Sequence, residues 1–244
     1  MLQNLFRNIS PVVKNLLIIN VLFFVAQFML PQLMEGLSLY PSNSEAFKPW
    51  QLVTHFFMHS THGLMHIFFN MFALVMFGTQ LERVWGPKKF LIYYFATAFG
   101  AAFLHLLVNY LRYQNIIDGL SEVELSHWLK ESHNAWSDGM VISRPLIGAQ
   151  ISQALYTPML GASGAVFGLL AAYGYLFPNT ELYLMFIPVP VKAKYFVIGY
   201  AAIELFSGIS NNPNDNVAHF AHLGGALVGI VMVIIWQRQK NQFY

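Results

Sequence analysis

Six long apolar segments, separated by polar stretches, constrain this 244-residue chain more than any other feature. A helix needs about 20 mostly apolar residues to cross a bilayer, and each segment comes near that length. The segments are approximately 16–30, 63–80, 90–110, 158–177, 195–209 and 217–236. Because an isolated span in lipid must satisfy its own backbone hydrogen bonds, all six are predicted to be helices. The predicted fold is therefore an all-α membrane protein with six transmembrane helices.

The composition agrees with a single membrane domain over residues 1–244. Charged residues make up only 10% of the chain, whereas a soluble domain carries roughly 25%. The net charge of +2 leaves no basic stripe for nucleic acid, so nucleic acid is not a predicted partner. The predicted surroundings of the chain are the lipid bilayer. The absence of cysteine excludes disulfides, cysteine nucleophiles and thiolate metal sites. The first segment could mimic a signal peptide, but no small-x-small cleavage site follows it, so it is interpreted as a span.

The distribution of Lys and Arg predicts that both termini lie in the cytoplasm. Nine positive residues fall on the side of the termini and four on the other, and positive loops stay inside. The set on the side of the termini is Arg7, Lys14, Arg83, Lys88, Lys89, Lys192, Lys194, Arg238 and Lys240. Two long loops, 31–62 and 111–157, are then predicted on the outer side.

The 111–157 loop contains a second helical signal. Ser121 followed by Glu124 forms a capping-box pattern, which predicts a short amphipathic helix over residues 121–131. Two interpretations remain open: the helix lies solvated on the membrane surface, or it covers an active site.

Polar side chains at membrane depth are functional candidates, because they are costly there. They are His66, Asn70, His105, Ser163, Glu204, His219 and His222.

Ser163 stands in the small-residue stretch 161–168 at the predicted start of the fourth helix. Small neighbours give a substrate backbone room to approach, although the same pattern also serves plain helix packing. In the sixth helix His222, Gly225 and Gly229 share one face. Two glycine-lined helices can pack closely, which would bring His222 near Ser163, and a histidine can take the proton of a serine nucleophile.

Histidines are unusually frequent before and within the second helix. His66 and Asn70 share a face and could donate to a negatively charged oxygen, or they could simply hold helices together. His55, His59, His62 and His66 follow a spacing that could bind zinc, but no His-Glu-x-x-His motif is present. No metal site is predicted.

These motifs resemble the signatures of rhomboid intramembrane serine proteases. The matching stretches are Gly161-Ala-Ser-Gly164, Ala221-His222-x-x-Gly225-x-x-x-Gly229 and His66-x-x-x-Asn70. Supporting likeness comes from 50–59, from 81–86 and from the connection 187–194, so the resemblance covers about residues 11–237. It implies a rhomboid-like bundle that cleaves peptide bonds in or near the transmembrane segments of other membrane proteins, without a cofactor.

The resemblance also implies roles for individual residues. Ser163 would be the nucleophile and His222 the general base, a dyad without a catalytic carboxylate. The oxyanion hole would be formed by His66, Asn70 and the backbone N–H of Ser163. Phe167 corresponds to an aromatic residue that packs on the catalytic histidine. The small-residue motifs at Gly161 and Gly225 would support the site.

Two loops of this sequence differ from those of the simplest family members. The 111–157 loop is longer than in the simplest bacterial members, and the Trp-Arg pair that some members carry in the 31–62 loop is absent.

The predicted location is a bacterial inner (plasma) membrane, with the site open to the outer face. Alternatives are a rhomboid-fold protein that binds membrane proteins without cutting them, and a transporter with a histidine relay. The substrate and oligomeric state are not predicted.

Overall fold

The computed structural model describes residues 8–140, 142, 144–183, 189–210 and 217–241. The helices are α1 (Pro11–Met29), α2 (Gln32–Leu37), α3 (Gln51–Thr54), α4 (Met65–Ala73), α5 (Thr79–Trp85), α6 (Pro87–Ile117), α7 (Glu122–Ser137), α8 (Leu146–Tyr156), α9 (Ser163–Leu176), α10 (Ala193–Ser210) and α11 (His219–Asn241). A 3-10 turn, His55–Phe57, follows α3, and a π-helical turn, Leu74–Gly78, joins α4 to α5. Two short strands, Glu181–Leu182 and Val191–Lys192, pair antiparallel.

The helical prediction is confirmed, since each of the six apolar segments contains a helix. Within the described ranges, three helices are long and apolar enough to cross a membrane: Pro11–Met29, Pro87–Ile117 and the His219–Arg238 part of α11. Helix α9 is apolar but has only 14 residues, so it is about 21 Å long. The positive residue Arg7 and the connecting residues Ile187 and Pro188, used in the predictions above, lie outside the described residues.

Small residues let α6, α9 and α11 pack backbone against backbone. A Cβ on Gly225 of α11 would overlap the backbone carbonyl of Gly164 in α9. One turn further, Gly229 lies against Gly168, whose carbonyl accepts a 2.7 Å hydrogen bond from the hydroxyl of Tyr93 in α6. These contacts fix how far α9 and α11 are shifted along each other. They therefore also fix the relative positions of the polar side chains near the starts of the two helices.

The first helix is capped by a carboxylate from a distant part of the chain. Glu82 of α5 is buried and accepts hydrogen bonds from the hydroxyl of Ser10 at 2.5 Å and from the backbone N–H groups of Val12 and Val13, both at 3.0 Å. The first backbone N–H groups of a helix have no partner within it, and a negative charge there is favourable. Glu82 thus fixes α1 to α5 and explains why α1 begins at Pro11, before the apolar segment proper.

Replacing Glu82 with glutamine is expected to lower the free energy of unfolding by about 1–3 kcal/mol. The amide would present its NH2 group to at least one of the three donors and would remove the charge at the helix start. A lower midpoint of thermal unfolding in detergent would show the effect. Glu181→Gln, which removes an exposed carboxylate from the first strand, is the matched control and should leave the midpoint unchanged.

The described residues of the 111–157 loop form a helical extension of the bundle. The Ser121–Glu124 capping box is confirmed, and hydrogen bonds from the hydroxyl and backbone N–H of Ser121 hold the pKa of the Glu124 carboxyl below its ordinary value. Helix α6 runs past the predicted end at 110 because Tyr113 and its neighbours pack on Ile151 of α8. Trp136 of α7 stacks on Tyr156 with ring centroids 5.0 Å apart. It also contacts the ring of Tyr40 in the 31–62 loop.

Candidate active site

The turn before Ser163 is held by the 31–62 loop. Leu39 and Met159 exchange two backbone hydrogen bonds of 2.8 Å, and the backbone N–H of Gly161 donates to the carbonyl of His55 at 2.9 Å. Gly161 has a φ of +116°, which only glycine adopts without strain. The chain therefore leaves an extended segment, turns at Gly161 and starts α9 directly at Ser163.

Ser163 and His222 are in hydrogen-bond contact. Ser163 Oγ lies 2.9 Å from His222 Nε2, although the two residues are 59 positions apart in the chain. The contact follows from the packing of α9 on α11, since Ser163 directly precedes Gly164, and His222 lies three residues before Gly225. His222 is buried, so its ring is shielded from bulk water.

Phe167 fixes the plane of the His222 ring. The two rings are stacked with centroids 4.2 Å apart and an interplanar angle of 5°. On its other flank Phe167 contacts the ring of Tyr200 in α10, at 4.7 Å between centroids. The imidazole is thus confined between aromatic packing on one side and the Ser163 hydroxyl at its edge.

A carboxylate also reaches His222, although the family resemblance implies a dyad without a catalytic carboxylate. Glu204 of α10 is buried, and its Oε2 atom lies 2.9 Å from His222 Nδ1. The same oxygen forms a 2.6 Å hydrogen bond with His219 Nδ1. The contact with His222 is close enough for an ion pair but lies outside the angular range of a well-aligned hydrogen bond. His219, one turn before His222, therefore also belongs to this group of side chains.

His66 and Asn70 lie on α4, on the other side of Gly161. The backbone N–H of Ser60 donates to His66 Nδ1 at 3.4 Å, so the proton of a neutral His66 ring is on Nε2. That nitrogen lies 3.0 Å from where a Cβ on Gly161 would be, beside the turn that precedes Ser163. Asn70 uses one amide N–H on the His66 carbonyl at 2.9 Å, which leaves the other N–H as a free donor for a ligand.

A small cavity borders Ser163. Its volume is about 10 Å³, roughly the space that one water molecule needs. The residues around it are His55, Phe56, Ala98, Ala101, Met159, Leu160, Gly161, Ser163, Gly164, Ala165 and Ala221. Among the residues that the structure describes, α7 and α8 contribute none of this lining, so the amphipathic helix of the 111–157 loop does not form a wall of this cavity.

A sequence model of the Rhomboid domain matches residues 46–239, which is most of the chain. The chain belongs to the rhomboid family. Rhomboid proteins are generally intramembrane serine proteases, and they act on membrane proteins within the bilayer. The resemblance drawn from the serine, histidine and asparagine motifs is thereby confirmed at the level of the family.

Individual relatives agree with this assignment. RHOMBOID-like protein 12, mitochondrial, from Arabidopsis thaliana is 32% identical over 90% of this chain and 54% of its own length. A rhomboid protein from Schizosaccharomyces pombe, named as mitochondrial, is 28% identical over 78% of this chain and 52% of its own length. Rhomboid protease AarA from Providencia stuartii is 26% identical over 77% of this chain and 56% of its own length. The chain spans about half the length of these curated relatives.

The comparisons contradict the predicted location in a bacterial plasma membrane. Rhomboid proteins from Arabidopsis, Schizosaccharomyces and Saccharomyces that match this chain are named as mitochondrial. The prediction rested on charge asymmetry and on the family resemblance, and neither distinguishes one membrane from another. The assignment to a membrane is supported.

The contact between Glu204 and His222 is the feature of this rhomboid site that sequence reasoning missed. Glu204 was recognised as a polar residue at membrane depth, and such acids usually face other polar groups. The missing step was its pairing, because the spacing of residues within one helix does not tell which neighbouring helix an acid faces. The two histidines one turn apart at the start of α11 were the available signal.

Proposed function

We propose that this protein is an intramembrane serine protease with Ser163 as nucleophile and His222 as general base. The observation that carries the proposal is the 2.9 Å contact between Ser163 Oγ and His222 Nε2. A serine hydroxyl is a weak nucleophile until a base accepts its proton, and a histidine within hydrogen-bond reach is such a base. Membership of the rhomboid family, which is typically proteolytic, supports the same assignment.

In the proposed reaction, Ser163 Oγ attacks the scissile carbonyl while His222 Nε2 takes the hydroxyl proton. The resulting oxyanion is stabilised by the backbone N–H of Ser163, the Nε2–H of His66 and the amide of Asn70. His222 then protonates the leaving amine, which frees one half of the substrate. Water adds to the acyl-enzyme with His222 again acting as base, and this releases the second half and regenerates the serine.

The proposed membrane arrangement has six transmembrane helices with both termini on the same side. The spans are α1, the continuous stretch from α4 to α5, α6, α9, α10 and α11. Because α9 is about 21 Å long and the apolar core of a bilayer about 30 Å, Ser163 at its start lies below the membrane surface. The small cavity beside Ser163 provides a place for the water that hydrolysis needs.

The proposed substrates are membrane proteins whose transmembrane helix unwinds locally. A peptide bond inside a regular helix is shielded by its own hydrogen bonds, so the scissile segment should contain Gly, Pro or other small residues.

The proposal is tested by replacing Ser163 with alanine. Purified wild-type protein in detergent is expected to cleave a fusion protein with a single Gly-containing transmembrane helix. It should also react with a fluorophosphonate, in which Ser163 Oγ displaces fluoride from phosphorus. Ser163→Ala should lose both reactions, whereas Ser210→Ala, an exposed serine at the end of α10, should keep both.

Two outcomes would contradict the proposal. Cleavage that persisted in Ser163→Ala would exclude Ser163 as the nucleophile. Wild-type protein that remained folded but neither cleaved several such fusions nor reacted with the fluorophosphonate would favour a rhomboid-fold protein that binds membrane proteins without cutting them.

A further inference from the structure

Glu204 is a buried acid in an otherwise apolar, lipid-facing helix. Its neighbours Ile203 and Phe206 are 63% and 75% exposed on the outside of the bundle, whereas Glu204 is only 4% exposed and faces inward. A carboxylate at membrane depth is costly unless it is paired. Both contacts that the structure gives Glu204 are to histidine Nδ1 atoms of α11, at 2.6 Å to His219 and 2.9 Å to His222.

The position of Glu204 relative to the His222 ring has a chemical consequence. His222 Nε2 faces the Ser163 hydroxyl, so it must be unprotonated to accept the serine proton. In a neutral imidazole the single proton is then on Nδ1, the atom that faces Glu204 Oε2. A negative oxygen 2.9 Å from Nδ1 favours this tautomer over the alternative. It also stabilises the imidazolium that forms when Nε2 takes the proton from Ser163.

His219 holds the carboxylate in place. The 2.6 Å hydrogen bond between His219 Nδ1 and Glu204 Oε2 uses the same oxygen that contacts His222. Gly208 of α10 also packs against His219 and Phe220 of α11, so this close contact and the pair of histidines together locate the acid. The approach to His222 is bent, so this contact is weaker than a well-aligned hydrogen bond.

We propose that Glu204 is a positioning residue that makes the site a Ser163–His222–Glu204 triad, with His219 orienting the carboxylate. The proposal rests on the proposed protease function. The competing explanation is purely structural: the Glu204–His219 pair fastens α10 to α11, and its proximity to His222 has no effect on the reaction. The two explanations differ in what they predict for kcat of correctly folded protein.

The test compares Glu204→Gln with wild type and with Glu181→Gln, which removes an exposed carboxylate far from the site. Glutamine keeps the size of the side chain but removes the charge that stabilises the imidazolium. We expect kcat, per site titrated by saturating fluorophosphonate, to fall at least about 10-fold while KM changes less than about 2-fold. The fall should stay well short of the loss in Ser163→Ala, because the bent contact is weaker than an aligned one. Glu181→Gln should retain wild-type kcat and KM.

His219→Gln separates the triad from the structural explanation. If Glu204 acts on His222 directly, His219→Gln should reduce kcat less than Glu204→Gln does. If both variants lose kcat equally, the effect runs through the fastening of α10 to α11 and the proposal is overturned.

Glu204→Asp keeps the test decisive where Glu204→Gln does not fold. Shortening the side chain by one methylene withdraws the carboxylate from His222 Nδ1, so kcat should fall about 5-fold or more at constant KM. Wild-type kcat in every folded Glu204 variant would overturn the triad and leave the dyad intact. If wild-type protein itself is neither labelled nor active, the proposed protease function fails instead, so the two failures are distinguishable.

Discussion

Replacement of His222 by alanine is expected to lower kcat for cleavage by about 10⁴-fold or more, the loss typical of removing the base of a serine protease. Without His222 Nε2 at 2.9 Å, the Ser163 hydroxyl has no acceptor for its proton during attack. The effect should be equally strong for fluorophosphonate labelling, because that reaction also needs an activated Ser163. Comparison of initial cleavage rates and of labelling rates for purified protein measures both effects.

A matched histidine control is available in the 31–62 loop. His62 belongs to the histidine-rich stretch before α4, and its side chain is exposed. His62→Ala should therefore cleave and label like wild type. Substantial cleavage by folded His222→Ala would remove His222 from the proposed mechanism and would leave His219 as the next base to examine, since it lies one turn away on the same helix.

Replacement of Gly225 by alanine is expected to separate α9 from α11. The added Cβ would overlap the backbone carbonyl of Gly164, and a backbone cannot move aside as a flexible side chain can. We expect a loss of about 3 kcal/mol or more in the free energy of unfolding, at the upper end of the cost of overpacking. The contact between Ser163 and His222 should lengthen with the helix separation, so cleavage should fall as well.

Gly199 provides the control for this substitution. It lies in an apolar helix, α10, but a Cβ there meets nothing within 4 Å. Gly199→Ala should leave activity unchanged and slightly raise stability, since alanine favours helix over glycine by up to about 1 kcal/mol. Thermal or denaturant unfolding in detergent measures the difference. Equal stability of Gly225→Ala and Gly199→Ala would show that the close approach of α9 and α11 is not needed for the fold.

Features determined by short stretches of sequence were predictable in this chain. The capping box predicts the helix that begins at Glu122, and Ser121 is confirmed as its N-cap. The helix runs to Ser137, past the predicted end at 131. The spacing of His222, Gly225 and Gly229 fixes a single helix face, and small residues on two helices imply close packing. The approach of α9 to α11, and with it the contact between Ser163 and His222, could therefore be predicted from the sequence.

Contacts between distant segments that no local motif marks were not predictable. The capping of α1 by Glu82 joins residues about 70 positions apart, and no local pattern marks Glu82 as a helix cap. The pairing of Glu204 with His222 depends on the rotation of α10 about its own axis. Because α10 is apolar around most of its circumference, the periodicity of its sequence does not determine that rotation. The compartment was missed for another reason, because the physical chemistry of one bilayer closely resembles that of another.

The placement of Ser163 on α9 and His222 on α11 has a consequence for how the protein is made. Ser163, the proposed nucleophile, is synthesised 59 residues before His222, the proposed base, and His222 lies on the last helix that the structure describes. Until that helix has been inserted, the Ser163 hydroxyl has no partner to remove its proton. On the proposed mechanism, a chain that has not yet inserted this helix is therefore proteolytically silent. Neighbouring membrane proteins are then not cut until the helix that carries His222 is in place.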